Sequence, residues 1–307
     1  SPLSAWAFGR LLEEAGAPVG VLQIVHGYGP EAGGPLVSHD DVSLVSFTGS
    51  CNVGRWIAET AGRRLAKVCL ELGGKNPLIV CDDADLERAV QVSVASAFSN
   101  AGQRCASGSR LIVYDEVFDH FCELLVHATK TLCVGPDDND DLGPVINEEQ
   151  LNNMISAVER ARSSGAVVVT GGGRLEGDCH KDGYYMAPTI IDNVRPDDDI
   201  STTELFGPIV CLYRVKDFEE AVSVANASPF GLTASIHTAN IDRAMTFISR
   251  IQSGVAVVNG ATYGSEPHMP FGGLKQSGNG TREAGTEAID VYSELKTVYI
   301  HHDESRV

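Results

Sequence analysis

Residues 77–113, PLIVCDDADLERAVQVSVASAFSNAGQRCASGSRLIV, contain the pattern that decides the fold of this 307-residue chain. The apolar run 77–81 predicts a buried strand, residues 84–98 have the apolar period of a long helix, and residues 111–113 predict a second strand. A strand, a helix and a strand in this order predict parallel strands with the helix packed across the sheet.

The same alternation continues on both sides of this stretch and predicts an α/β fold. Upstream we predict helices over 3–15 and 51–61, the second with Ser50 as its N-cap, and strands over 20–25, 42–47 and 67–70. Downstream we predict helices over 116–132, 148–162, 218–225 and 242–248, and strands over 166–170, 209–213, 233–237 and 255–258. Residues 295–301 alternate weakly and predict an edge strand that joins another sheet or another subunit.

Composition indicates an ordinary globular protein of about two domains, because 43% of the residues are hydrophobic and 21% are charged. The 41 acidic residues outnumber the 23 Lys and Arg and leave a net charge of -18, which disfavours nucleic acids and anionic membrane surfaces as partners. No apolar run approaches the length of about 18 residues that spans a bilayer, and the first residues lack the order of a signal peptide. We therefore expect a soluble, cytoplasmic protein.

The cysteines and the acidic residues give no metal site. Eight cysteines occur without a Cys-x-x-Cys pair, which indicates neither zinc nor a redox dithiol, and most lie in apolar runs where a thiol behaves as a small hydrophobe. Residues 137–148 have some of the acidic spacing of a calcium loop, but Leu142 stands where the sharp turn needs Gly. We expect a solvated loop there and no metal.

Cys105 differs from the other cysteines in its surroundings, NAGQRCASGS at 100–109. Small and polar residues between a helix and a strand predict an accessible loop, in which backbone amides can face an oxyanion and Arg104 can favour the thiolate. The alternative is an inert surface cysteine, which this segment alone favours by roughly two to one.

Glu71 opens the segment ELGGKNP at 71–77, at the end of an apolar strand. Partial burial there predicts a raised pKa and a general base toward water or a thiol, while a turn or helix-terminus carboxylate is about equally compatible. Two glycine-bearing stretches, 27–33 and 47–50, could approach a phosphate, the second because Gly49 and Ser50 precede a helix N-terminus.

Five segments in chain order resemble the aldehyde dehydrogenase superfamily over nearly the whole length. They are FTGS at 47–50, LELGGK at 70–75, GQRC at 102–105, ELFGP at 204–208, and PFGG at 270–273 followed by Lys275 and Ser277-Gly278. The resemblance implies an aldehyde dehydrogenase-like α/β fold with a partial Rossmann-type cofactor domain at 1–73, an α/β catalytic domain at 74–288 and a carboxy-terminal oligomerisation strand at 289–307. It also implies a homo-oligomer.

The resemblance further implies a chemistry and the residues that perform it. Cys105 would be the nucleophile and Glu71 the general base, so that an aldehyde is oxidised by NAD or NADP through a thiohemiacetal and a thioester to a carboxylic acid. The positions beside the cofactor would be Gly29, Gly49, Ser50, Glu204 (at the nicotinamide ribose) and Phe206 (at the nicotinamide), with Glu294 behind the catalytic water.

The same resemblance implies that part of the cofactor domain would precede residue 1, including an asparagine that donates to the oxyanion and residues that contact the adenosine ribose. For these 307 residues alone we therefore expect feeble or absent dehydrogenase activity, since one lost oxyanion donor costs about a hundredfold to a thousandfold in turnover. Two alternatives remain at this point: a cofactor-independent thiol esterase that uses Cys105 and Glu71, and a catalytically inactive homologue with a role in assembly.

Overall fold

A computed structural model describes residues 2–306. The α-helices are α1 (Pro2–Glu14), α2 (Gly34–Ser38), α3 (Cys51–Gly62), α4 (Leu86–Phe98), α5 (Asp115–Lys130), α6 (Glu148–Ser163), α7 (Asp199–Thr202), α8 (Phe218–Asn226), α9 (Ile241–Arg250) and α10 (Glu287–Val291). The strands are β1 (Leu44–Thr48), β2 (Lys67–Glu71), β3 (Asn76–Val80), β4 (Gly108–Tyr114), β5 (Val167–Thr170), β6 (Thr189–Asp192), β7 (Ile209–Val215), β8 (Phe230–Gly231), β9 (Thr233–His237), β10 (Val255–Val258) and β11 (Leu274–Lys275).

The main sheet has seven strands in the order β10-β9-β3-β4-β7-β6-β5. All of its pairs are parallel except β5 with β6, which is antiparallel. Every residue of β3 and of β9 is buried, which requires cover on both faces of the sheet, and this is the pattern of a parallel sheet between helices. The α/β prediction is therefore confirmed.

Polar residues before three of the helices explain where these helices begin. Asp85 accepts a hydrogen bond from the backbone N–H of Arg88, and Asn147 and Asp217 accept equivalent bonds at the starts of α6 and α8. Each side chain satisfies an amide that has no partner within its helix, which is worth about 1 kcal/mol per cap.

The chain groups into two compact units: Ser1–Phe47 with Asn52–Val68, and Thr48–Cys51 with Cys69–Val307. The second unit contains the whole seven-stranded sheet and its core, which includes Leu78, Ile112 and Phe121. Smaller sheets pair β1 with β2 and β11 with β8. The domain limits at 73 and 288 stay a prediction.

Three local expectations differ from the structure. Residues 20–25 form no strand, and Val21 and Val25 remain exposed, because an apolar run becomes a strand only where a neighbouring strand takes its backbone hydrogen bonds. The sequence analysis missed β6, a four-residue strand that is held by β5 and β7 rather than by its own pattern. Residues 295–301 pair with no strand within the described part of this chain, and pairing with another subunit stays a prediction.

Candidate active site

Two connections bring the candidate catalytic residues to one edge of the main sheet. Residues 72–75 lead from Glu71, the last residue of β2, into β3, and residues 103–107 lead into β4. Because β3 and β4 are parallel neighbours with Asn76 opposite Gly108, both connections lie at the amino ends of these strands. Glu71 itself lies at the carboxyl end of β2, in agreement with its predicted place at the end of an apolar strand.

Asn76 holds the backbone of the cysteine loop. Its Nδ2 donates to the carbonyl oxygens of Cys105 at 2.8 Å and Ser107 at 2.9 Å, and its Oδ1 accepts from the N–H of Thr233 at 3.1 Å. The side chain is 1% exposed, so these bonds are shielded from water. The sequence analysis did not select Asn76; its signal was an amide at the start of an otherwise apolar buried strand.

Further bonds hold the rest of this loop. The buried Thr262 donates from Oγ1 to the carbonyl oxygen of Ala106 at 2.7 Å, and Ser107 donates from Oγ to the carbonyl oxygen of Gly102 at 3.1 Å. Just before the cysteine loop, Asn100 and Ala101 adopt the left-handed backbone conformation, with φ of 55° and 53°. Such strain persists only where the surroundings impose it, and it is frequent at functional sites.

A cavity of about 920 Å³ opens beside Cys105, within the second unit. It is lined by Thr48, Gly49, Ser50, Leu72, Gly73, Gln103, Arg104, Cys105, Ala106, Ile146, Asn147, Gln150, Glu204, Leu205, Phe206, Tyr263, Gly264, Ser265 and Phe271. The volume suits a small organic molecule or part of a cofactor. Of the seven predicted catalytic and cofactor positions, five line it, namely Cys105, Gly49, Ser50, Glu204 and Phe206, and the other two, Gly29 and Glu71, do not.

The thiol of Cys105 is partly buried, and burial raises its pKa. The negative charge of Glu204 raises this pKa further, as does that of Glu71 to a smaller extent, while hydrogen bonds from backbone amides act in the opposite direction. Arg104 was expected to favour the thiolate, but the pKa of Cys105 is raised, and the Arg104 guanidinium lies over the ring of Tyr263. The raised pKa favours the protonated thiol, which must lose its proton before it can attack.

Glu71 is 4% exposed, and neither of its carboxylate oxygens has a hydrogen-bond partner among residues 2–306. Burial raises its pKa to about 8, the nearby carboxylate of Glu283 adds to this, and the guanidinium of Arg282 opposes it. A buried carboxyl group with this pKa and two free oxygens can take a proton near neutral pH. The predicted raised pKa of Glu71 thus agrees with the structure, and its charge is felt at Cys105.

Glu204 lies against the glycine pair that follows Leu72. Its Oε1 accepts from the N–H of Gly74 at 3.0 Å, and burial raises its pKa. A Cβ on Gly73 would stand 1.8 Å from the Glu204 Oε2, and one on Gly74 would stand 2.3 Å from the carbonyl oxygen of Cys105. Only glycines at both positions allow Glu204 and the cysteine loop to approach this backbone.

Among the remaining predicted positions, Phe206, Gly49 and Ser50 line the cavity, whereas Gly29 and Glu294 do not. Phe206 is 44% exposed at the cavity with a left-handed φ of 52°, which is strained for a bulky side chain. Gly49 and Ser50 immediately precede α3, and the N–H of Gly49 donates to the carbonyl oxygen of Glu71. Gly29 lies in the first unit, at the start of a π-helical turn over Gly29–Gly33, and Glu294 is exposed after α10. The roles of all these residues stay predictions.

Two further properties bear on the chemistry of the chain. Among residues 2–306 no three His, Cys, Asp or Glu side chains come together in a group that could hold a metal ion. Within the same residues no helix combines the length and apolar character needed to cross a membrane.

Comparisons with known proteins agree with this geometry. The sequence model of the aldehyde dehydrogenase family matches residues 1–298. The chain is 43% identical to an alpha-ketoglutaric semialdehyde dehydrogenase of Bacillus subtilis (strain 168), over 94% of this chain and 59% of that protein. It is 40% identical to human retinal dehydrogenase 2, over 98% of this chain and 57% of that protein.

Among solved structures, the chain is similar to a betaine aldehyde dehydrogenase of Staphylococcus aureus in complex with NAD+, with a TM-score of 0.92 and 35% sequence identity. That match covers 95% of this chain and 58% of the other. The chain thus spans a little under three fifths of the length of these relatives. Since the family model matches almost the entire sequence, the chain belongs to the aldehyde dehydrogenase family.

Proposed function

We propose that this chain carries the nucleophile and the general base of an NAD- or NADP-dependent aldehyde dehydrogenase, which oxidises an aldehyde to a carboxylic acid. The observation that carries this proposal is the cavity at Cys105, with Glu204 in its wall and the buried, unpartnered carboxyl group of Glu71 close enough for its charge to act on the thiol. The relatives are named for different aldehydes, so their names do not identify the substrate.

The residues divide the reaction into two stages. Cys105, once deprotonated, attacks the aldehyde carbon and forms a thiohemiacetal, while Asn76 keeps the loop in place through the carbonyl oxygens of Cys105 and Ser107. After hydride loss the product is held as a thioester on Cys105. Glu71 then takes a proton from water, the water oxygen attacks the thioester carbon, and the acid leaves as the thiol re-forms.

The lining of the cavity fits a nicotinamide cofactor. The Oε2 of Glu204 has no hydrogen-bond partner among residues 2–306, so it can accept from ribose hydroxyls, and Phe206 offers a partly exposed aromatic face. Gly49 and Ser50 lie before the amino end of α3, where a helix favours phosphate. When bound, the nicotinamide ring supplies the hydride acceptor. These contacts leave both NAD and NADP open.

An ester assay tests the catalytic assignment without a cofactor. The purified chain is incubated with p-nitrophenyl acetate, and NAD with propionaldehyde is assayed beside it. We expect ester cleavage, with weak or no NADH formation, and loss of both in Cys105→Ala. The matched control is Cys133→Ala, since Cys133 is exposed and lies outside the cavity lining. Unchanged ester cleavage in Cys105→Ala would remove Cys105 from its role.

Assembly and location complete the proposal. We propose a homo-oligomer in which residues 295–300 of one subunit pair with another subunit, because Leu295, Tyr299 and Ile300 are at least 83% exposed on a segment that forms neither helix nor strand here. Light scattering on the chain with and without residues 295–307 tests this: a mass that does not change would contradict it. We propose a cytoplasmic location, because none of the eight cysteines forms a disulfide bond within residues 2–306.

A further inference from the structure

Arg104 is the one cation among the residues that line the cavity at Cys105. It directly precedes the proposed nucleophile, and its guanidinium carbon lies 4.6 Å from the ring centroid of Tyr263, another lining residue. This cation–π contact uses no N–H group as a hydrogen-bond donor to an oxygen, so the guanidinium can still donate hydrogen bonds.

No carboxylate or carbonyl oxygen among residues 2–306 bonds to this guanidinium. Other arginines of the chain are paired: Arg243 with Asp82 and Asp83, and Arg250 with Glu219. The chain has 41 acidic residues and a net charge of -18, so partners for an arginine are abundant on its surface. An arginine that remains without one at the wall of a cavity is available to an anion from solution.

The geometry points to a substrate that carries a carboxylate besides its aldehyde, with Arg104 binding that carboxylate in a bidentate manner from its place on Tyr263. This inference rests on the proposed function, and it names the substrate class of the same site. Arg104 acts here as a specificity-determining residue, and the aldehyde carbon is directed to the neighbouring Cys105.

The two acidic side chains near the cavity do not exclude an anionic substrate. Burial brings the pKa of Glu71 to about 8, so its negative charge is reduced near neutral pH, and the Oε1 of Glu204 is engaged by the N–H of Gly74. Other polar residues that line the cavity, among them Asn147, Gln150 and Ser265, are neutral and can donate to a carboxylate. The cation next to the nucleophile therefore decides the preference.

A pair of esters tests this inference independently of cofactor binding. The chain is assayed with p-nitrophenyl acetate, which is neutral, and with the mono-p-nitrophenyl ester of glutaric acid, which carries a free carboxylate. Arg104→Met should lower kcat/KM for the carboxylated ester by about 10- to 100-fold and change that for the neutral ester by less than about threefold, as expected for one charge-assisted bidentate contact. Arg104→Lys should retain an intermediate preference, because it keeps the charge but not the fork.

The matched control is Arg63→Gln, an exposed arginine of the first unit, which should leave both esters unchanged. Equal losses for the two esters in Arg104→Met would overturn the inference and leave the catalytic role of Cys105 standing. Absence of cleavage of both esters by the wild-type chain would contradict the proposed function instead.

A binding measurement keeps the inference testable in that last case. Alkylation of Cys105 by iodoacetamide is followed by mass spectrometry with glutarate or neutral glutaramide as protecting compound. Glutarate should protect the wild-type thiol, and the concentration required should rise at least about tenfold in Arg104→Met. Equal protection by glutarate in the two proteins would overturn the inference.

Discussion

The carboxyl group of Glu71 should set the pH dependence of thioester hydrolysis. Its pKa lies at about 8 because the side chain is 4% exposed and has the carboxylate of Glu283 nearby. A carboxyl group acts as a base only when ionised, so a raised pKa makes the second stage slow below the pKa and fast above it. From a pKa of about 8, roughly 1% of Glu71 is ionised at pH 6 and roughly 90% at pH 9.

Deacylation by the wild-type chain should therefore rise about 90-fold between pH 6 and pH 9 and then level off. A glutamate with an ordinary pKa would already be ionised at pH 6 and would give a flat profile. The assay is the steady phase of p-nitrophenyl acetate cleavage after the burst, since the burst reports acylation of Cys105 and the steady phase reports thioester hydrolysis. Glu71→Gln should keep the burst and lose the steady phase.

Substitutions of two residues near Glu71 test what raises its pKa. Glu283→Gln removes a charge that raises the pKa of Glu71 and should move the midpoint to lower pH, whereas Arg282→Gln removes a charge that lowers it and should move the midpoint to higher pH. Glu149→Gln, at an exposed glutamate of α6, serves as the control without effect. A flat steady phase between pH 6 and pH 9, or the same rise in Glu71→Gln, would refute the reasoning.

Three other substitutions have expected outcomes. Asn76→Ala removes three buried hydrogen bonds and should lower the free energy of unfolding by about 3 kcal/mol in urea denaturation. A loss below about 1 kcal/mol would contradict the role of Asn76 in holding the cysteine loop. Glu204→Gln removes the charge that raises the pKa of Cys105 and should speed its alkylation by iodoacetamide at pH 7.5, so a slower reaction would argue against it. Arg110→Met leaves two carbonyl oxygens at the end of α8 without their buried donor and should cost about 3 kcal/mol by the same denaturation, with exposed Arg195→Met as the neutral comparison.

Much of the secondary structure was predictable because its causes are local. The apolar runs of β3 and β7 and the apolar period of α4 identify these elements without knowledge of their neighbours. Where the cause is not local, prediction failed: β6 exists because β5 and β7 flank it, and residues 20–25 remain outside any sheet because no strand pairs with them.

The candidate residues divide in the same way. Cys105 and Glu71 were selected from residue type, neighbouring glycines and resemblance, and both lie where those signals indicated, in an accessible loop and at the end of a strand. Arg104 was expected to favour the thiolate, and only the fold shows its guanidinium on Tyr263, 159 positions further along the chain. Asn76 was not selected at all.

The sequence by itself determined the α/β class and the family, and it predicted the thiol and carboxyl pair, because these follow from short segments whose chemistry is readable one at a time. Tertiary structure alone decided how those groups behave. The side chain of Asn76 bonds to backbone atoms of residues 29 and 157 positions further along the chain. The pKa of Glu71 depends on burial and on charges more than 200 residues distant in sequence. Burial and electrostatic energy depend on distance in space, which a linear sequence does not contain.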